Sequence, residues 1–168
     1  MSERVTFEQL MDTSQRERAL YLGFGAFLRP LARESRFTAL LRAVCCTWCR
    51  ACQERLIDAD SAVALHIIEE FNRGNRGGDS LSLARHLARR AARRVARRTQ
   101  GKTKEYWACH AVCEAARNDA FESLIWTSHA IANAALYLDR QLELFREVLE
   151  GLPSVPPAVG PVSDRSAS

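Results

Sequence analysis

The stretch "SLSLARHLARRAARRVARRTQGKTK", Ser80 to Lys104, decides how the rest of the chain is read. At 100° per residue, Leu81, Ala84, Ala88, Ala91, Ala92 and Val95 fall within a band about 100° wide. Arg85, Arg89, Arg90, Arg93, Arg94, Arg97 and Arg98 fill the opposite side. This is the pattern of an amphipathic helix. Its apolar face is mostly alanine, which suits close approach to another helix.

Apolar residues recur at three and four, rather than two, on either side of this segment, and residues 31 to 152 contain no proline. That periodicity predicts an all-α fold, a single-domain bundle of about five or six helices over residues 1–151. Ser14 to Leu28 reads as a first helix that stops before Pro30, with a shorter turn over "FEQLM" ahead of it. Arg36 to Ile57 reads as a second, with Phe37, Leu41, Val44, Trp48 and Cys52 along one stripe. Asp58 or Asp60 caps a third, which ends near Phe71 before Gly74. "GNRGGDS" is then a connection, with Asp79 or Ser80 as the next cap. The arginine helix closes at Gly101, and a fifth helix starts near Thr103. Unbroken to Glu150 it would be roughly 70 Å long at 1.5 Å per residue, too long for a compact domain. A break or bend is expected, and Asp139 is one place for it. The tail "LPSVPPAVGPVSDRSAS", residues 152–168, is small, polar and proline-rich, a composition that predicts disorder.

The 168 residues are enough for one domain with a sizeable core, which buries roughly 70% of the surface its unfolded chain exposes. No disulfide or metal is required for that. No apolar run approaches the roughly 20 residues a membrane span needs, and the charged start lacks a secretory leader's apolar stretch. A cytoplasmic protein with reduced thiols is therefore expected.

Six cysteines sit in two groups, "CCTWCRAC" from Cys45 to Cys52 and "CHAVC" from Cys109 to Cys113. Cys45 and Cys49, and again Cys109 and Cys113, stand at i, i+4. Two helices bearing C-x-x-x-C would suit a tetrahedral zinc held by Cys45, Cys49, Cys109 and Cys113, with His110 or His66 standing in for a ligand. Structural zinc sites, however, place ligand pairs on tight turns flanked by glycine, and these pairs lack that setting. Cysteines alternating with alanine and valine on helices read more simply as small core residues. No cofactor is expected, and a zinc-stapled bundle is the alternative. Cys49 and Cys52 form a C-x-x-C without the βαβ setting of thioredoxin-like chemistry.

Charge is unevenly spread. Ser80 to Lys104 carries seven arginines and two lysines without an acidic residue, whereas Glu105 to Glu150 holds eight acidic residues against three arginines. Glu105, Glu114, Asp119 and Glu122 are the expected neutralisers of the arginine helix. The arginines beyond their reach would meet an acidic protein partner. Nucleic acid is the alternative, bound without sequence preference because the helix lacks aromatics for stacking and amides for reading bases. An anionic membrane surface is a lesser one. No H-E-x-x-H, G-x-S-x-G or Asp-rich calcium loop occurs. His66, His86, His110 and His129 are dispersed, with His66 and His129 in apolar stretches where packed histidines are expected. No nucleophile has a visible base, so a non-enzymatic interaction or adaptor module is the expected function.

From about Phe27 to Ala135 the order of features resembles a family of alanine- and arginine-rich helical proteins numerous in planctomycete bacteria. The likeness rests on "FLRPLARESRFTALLRAVCC", "RLIDADSAVALHIIEEFNRG", "LARHLARRAARR" and "WACHAVCEAARNDAFESLIWTSHAIANAA". The resemblance implies an all-helical fold with cysteines used as small packing residues. It implies no catalytic residue. The chain departs from that pattern in its extra cysteines, fewer tryptophans and altered C-terminal end.

Overall fold

A computed structural model describes residues 35–151. Among them are six α-helices, one short 3-10 turn and no strand, as an all-α bundle requires. The helices are α1 (Ser35–Ala51), α2 (Ala59–Asn72), α3 (Asp79–Arg98), α4 (Lys104–Ala115), α5 (Ala120–Asn133) and α6 (Leu138–Glu150), with the 3-10 turn at Gln53–Arg55. The expected helix at 14–28 and the expected disordered tail at 152–168 lie outside the described residues. No described helix is long and apolar enough to cross a membrane.

The helix starts follow local chemistry. Asp58 caps α2, its Oδ1 accepting from the Asp60 N–H at 3.1 Å, and Thr103 caps α4 by accepting from Tyr106. Helix α3 begins at Asp79 without a side-chain cap, so neither Asp79 nor Ser80 serves there as expected. At the end of α2, Gly74 adopts the left-handed conformation (φ 81°) while the Asn75 N–H reaches back to the Glu70 carbonyl. After α3 the left-handed residue is Gln100 rather than Gly101, and the Gly101 N–H bonds the Ala96 carbonyl.

The segment from Thr103 to Glu150 does break, as expected, but twice, giving three helices rather than two. Its first break, at residues 116–119, is set by Asp119, whose carboxylate accepts from the Glu122 N–H at 2.8 Å and starts α5. Its second, at residues 134–137, lies ahead of Asp139. There Ala135 turns left-handed (φ 75°), the Leu136 N–H bonds the Ile131 carbonyl and the Ala135 N–H bonds that of Ala132. This is a Schellman closure with alanine in the position glycine usually takes.

Helix α2 packs on α3, α3 on α4 and α4 on α5, and α1 lies against α2, α4, α5 and α6. Helix α1 is therefore buried on most of its circumference rather than along one stripe. Leu41, Val44, Cys45, Trp48 and Cys49 are sealed in the core, and only a narrow line through Ala39, Ala43, Thr47 and Arg50 approaches solvent. Two polar anchors fix it. The Trp48 indole donates to the Gln141 carbonyl at 2.9 Å, and the buried Arg42 guanidinium donates to the carbonyls of Ala115, Arg117 and Asn118 at 3.1, 2.9 and 3.3 Å. Arg42 also lies over the Phe71 ring, 5.5 Å from its centroid. The Arg42 bonds supply donors at the C-terminal end of α4, where helical geometry leaves carbonyls without partners.

Candidate functional site

All six residues expected on the apolar face of α3 are buried, so the face opposite carries the arginines. Packing divides those arginines into three rows. Arg90, Arg94 and Arg98 flank α2. Arg94 grips Asp58 with both ends of its guanidinium (2.9 and 2.6 Å) and also reaches Asp60; Arg90 holds Asp60 at 2.7 Å, and Arg98 approaches Asp58 at 4.0 Å. Asp58 is only 5% exposed, so this pairing is the most sheltered of the cluster. The Arg94 guanidinium holds the Asp58 and Asp60 carboxyls below the usual carboxylate range, and the two carboxylates push the Arg94 pKa up in return.

The expected neutralisers are not the ones used. Glu105 faces Arg55 at 3.6 Å, Glu114 bonds Arg117 and approaches His110, Asp119 caps α5, and Glu122 meets Arg117 at 3.2 Å. Each of these carboxylates pairs with or caps a group outside α3. The acidic partners come instead from the helix before it, through the two aspartates expected only as caps.

Arg85 and Arg89 form a second row, facing α4. Burial pushes the Cys113 thiol up, and the nearby charges of Arg89 and Arg85 partly offset that rise. The Arg85 Nε is buried without a hydrogen-bond partner. The outermost row is Arg93 and Arg97, exposed and with no acidic partner among the described residues. Arg89, itself exposed, joins that row at its upper end.

Beside this ridge lies an aromatic strip that the α3 sequence lacks and the tertiary fold supplies. Tyr106 stacks on His110 (centroids 5.7 Å apart, planes at 9°), and Trp107 meets Tyr106, His110 and His129 edge-on. Lys102 lies over both Tyr106 and Trp107 at 5.8 Å. Across α5, Trp126 is 47% exposed, with the Arg117 guanidinium 5.5 Å over its ring. His66 and His129 are on the surface, not packed in the core as their apolar surroundings suggest. The apolar runs misled because each histidine occupies the solvent side of its helix.

The cysteines are all free and all buried. Cys45, Cys46, Cys49, Cys52 and Cys113 belong to the main core, while Cys109 packs with Ala92 and Val95 under α3. No three of Cys45, Cys49, Cys109 and Cys113 come within metal-coordinating reach of one another. The only such triad of metal-ligating side chains among the described residues is His110, Cys113 and Glu114. Burial pushes the Cys45 thiol up to about 12 and raises that of Cys49 as well. These thiols are protonated at neutral pH and behave as small apolar groups.

The fold and this surface together define a helical bundle with an arginine ridge bordered by aromatic rings. No protein-family model, curated protein or solved structure matches the chain.

Proposed function

We propose that the protein is a non-enzymatic interaction module whose helix α3 presents Arg89, Arg93 and Arg97 to an acidic segment of a partner protein. One observation carries the reading. Asp58 and Asp60 take up Arg90 and Arg94, whereas the outer row has no acidic partner among the described residues. The arginines that hold the bundle together are thus different from those left to a partner, and a ligand reaches the outer row without dismantling the fold. Rigid presentation from one helix lowers the ordering cost of binding. Six free cysteines, none bridged, support a reducing cytoplasmic setting for this activity.

The test is binding of a fluorescent Glu/Asp-rich peptide to the full chain and to a variant with Arg89, Arg93 and Arg97 all changed to Gln. The expected outcome is a loss of at least tenfold in affinity with an unchanged melting temperature. Equal affinity for both proteins would sink the proposal.

A second reading is single-stranded nucleic acid, favoured by Tyr106, Trp107 and Trp126 beside the cations, since base stacking on aromatics and phosphate contact with arginine commonly occur together. An oligothymidylate separates the two. Nucleic acid would quench tryptophan fluorescence, bind with a steep salt dependence and weaken on Trp126→Ala, whereas the peptide would be indifferent to Trp126.

A further inference from the structure

On α4, His110, Cys113 and Glu114 stand at i, i+3 and i+4, so their side chains rise together from one flank of the helix. One donor atom from each, a ring nitrogen, the sulfur and a carboxylate oxygen, lies within 4.8 Å of the other two. Bond lengths of about 2.0 to 2.3 Å to zinc put tetrahedral donors roughly 3.3 to 3.8 Å apart. The His110 Nε2 to Glu114 Oε1 separation is already 3.4 Å. We propose that His110, Cys113 and Glu114 bind one zinc-type divalent cation, with the fourth tetrahedral position open toward solvent on the His110 side.

The surroundings of each donor suit that role. Tyr106 and Trp107 hold the His110 ring between them, fixing its orientation. Arg117 engages Oε2 of Glu114 and leaves Oε1 toward His110, so it positions the carboxylate without occupying the ligating oxygen. On the α3 side of the sulfur the buried Arg85 Nε–H has no hydrogen-bond partner. On binding, the Cys113 S–H bond breaks, the proton passes to water, and the sulfur lone pair forms the metal bond. Thiolate and carboxylate then balance the two positive charges of the ion. Three protein ligands of mixed type with one exchangeable position is the arrangement of reactive rather than purely structural zinc. This site shares no residue with the tetracysteine arrangement beyond Cys113, and it does not depend on the acidic-partner reading.

The test is a titration of reduced, chelator-treated full-length protein with cobalt(II), followed by zinc. One equivalent of cobalt is expected to give a sulfur-to-cobalt charge-transfer band with the visible absorption of four-coordinate cobalt, and zinc should abolish both. Cys113→Ser should remove the charge-transfer band. His110→Ala, at a half-buried position that spares the core, should weaken cobalt binding by more than the roughly 10–100-fold that loss of a ligand's supporting partner costs. Cys45→Ser and Cys49→Ser should retain the band. Absence of a thiolate band at one equivalent, its persistence in Cys113→Ser, or wild-type affinity in His110→Ala would each overturn the assignment.

Discussion

Asp58 performs two tasks with one carboxylate: it caps α2 through the Asp60 N–H and it receives the Arg94 guanidinium. Asp58→Ala should therefore cost about 2 kcal/mol in a urea melt, the sum of a lost cap and a sheltered charge-assisted pair. Asp60→Ala, at a more exposed position, should cost less than half of that. The sign of the pH dependence follows from the depressed folded-state values of both carboxyls. Their contribution is fully present above the ordinary carboxylate pKa near 4 and disappears as pH falls through the lower folded values. The urea midpoint should fall below about pH 4, and more gently in Asp58→Ala than in the native protein. Half of this was readable beforehand. An aspartate just before an apolar run announces a cap, but its arginine lies 36 residues away, and no local pattern names a partner at that distance. The thiols obey the opposite logic: with Cys45 pushed up to about 12 and Cys46 and Cys49 buried beside it, a thiol reagent at pH 8 should label none of these three until urea opens the fold.

Helices differ in how openly their limits are written. The orientation of helix α3 was legible, because seven arginines against an alanine face leave one solution to it. Of the two breaks that bound α5, only the one near Asp139 was expected, because neither uses proline or glycine. Asp119 resembles a surface charge until its carboxylate is found on the Glu122 N–H, and Ala135 resembles any helical alanine until its φ of 75° is seen. A left-handed alanine is strained by roughly 1–2 kcal/mol, so Ala135→Gly should raise stability by about 0.5–1 kcal/mol once the greater freedom of unfolded glycine is deducted. A higher melting temperature would confirm this. On α3 the three rows should separate in the same measurement. Arg93→Gln and Arg97→Gln should leave the melting temperature unchanged, whereas Arg94→Gln should lower it.

At the scale of the molecule, α1 is the element on which the others close. Its cysteines were readable as core residues from their type and their alanine neighbours, but its burial on several sides was not, since one helix does not reveal how many others will surround it. Arg42 was the least visible feature. An arginine among apolar residues looks like the polar edge of a stripe, yet here it ties α1 to the end of α4. Arg42→Met should cost about 3 kcal/mol, because three carbonyls lose their donor, and this should appear as an earlier urea midpoint with far-UV helicity retained. The same anchors bear on the order in which a ribosome delivers the chain. Helix α1 emerges before α2 to α6, yet the carbonyl that receives its Trp48 indole belongs to Gln141, 93 residues later. Until α6 leaves the exit tunnel, the thiols and indole of α1 stay without their final cover. The nascent chain is then most exposed to aggregation and oxidation, and the bundle can seal only once α6 has been delivered.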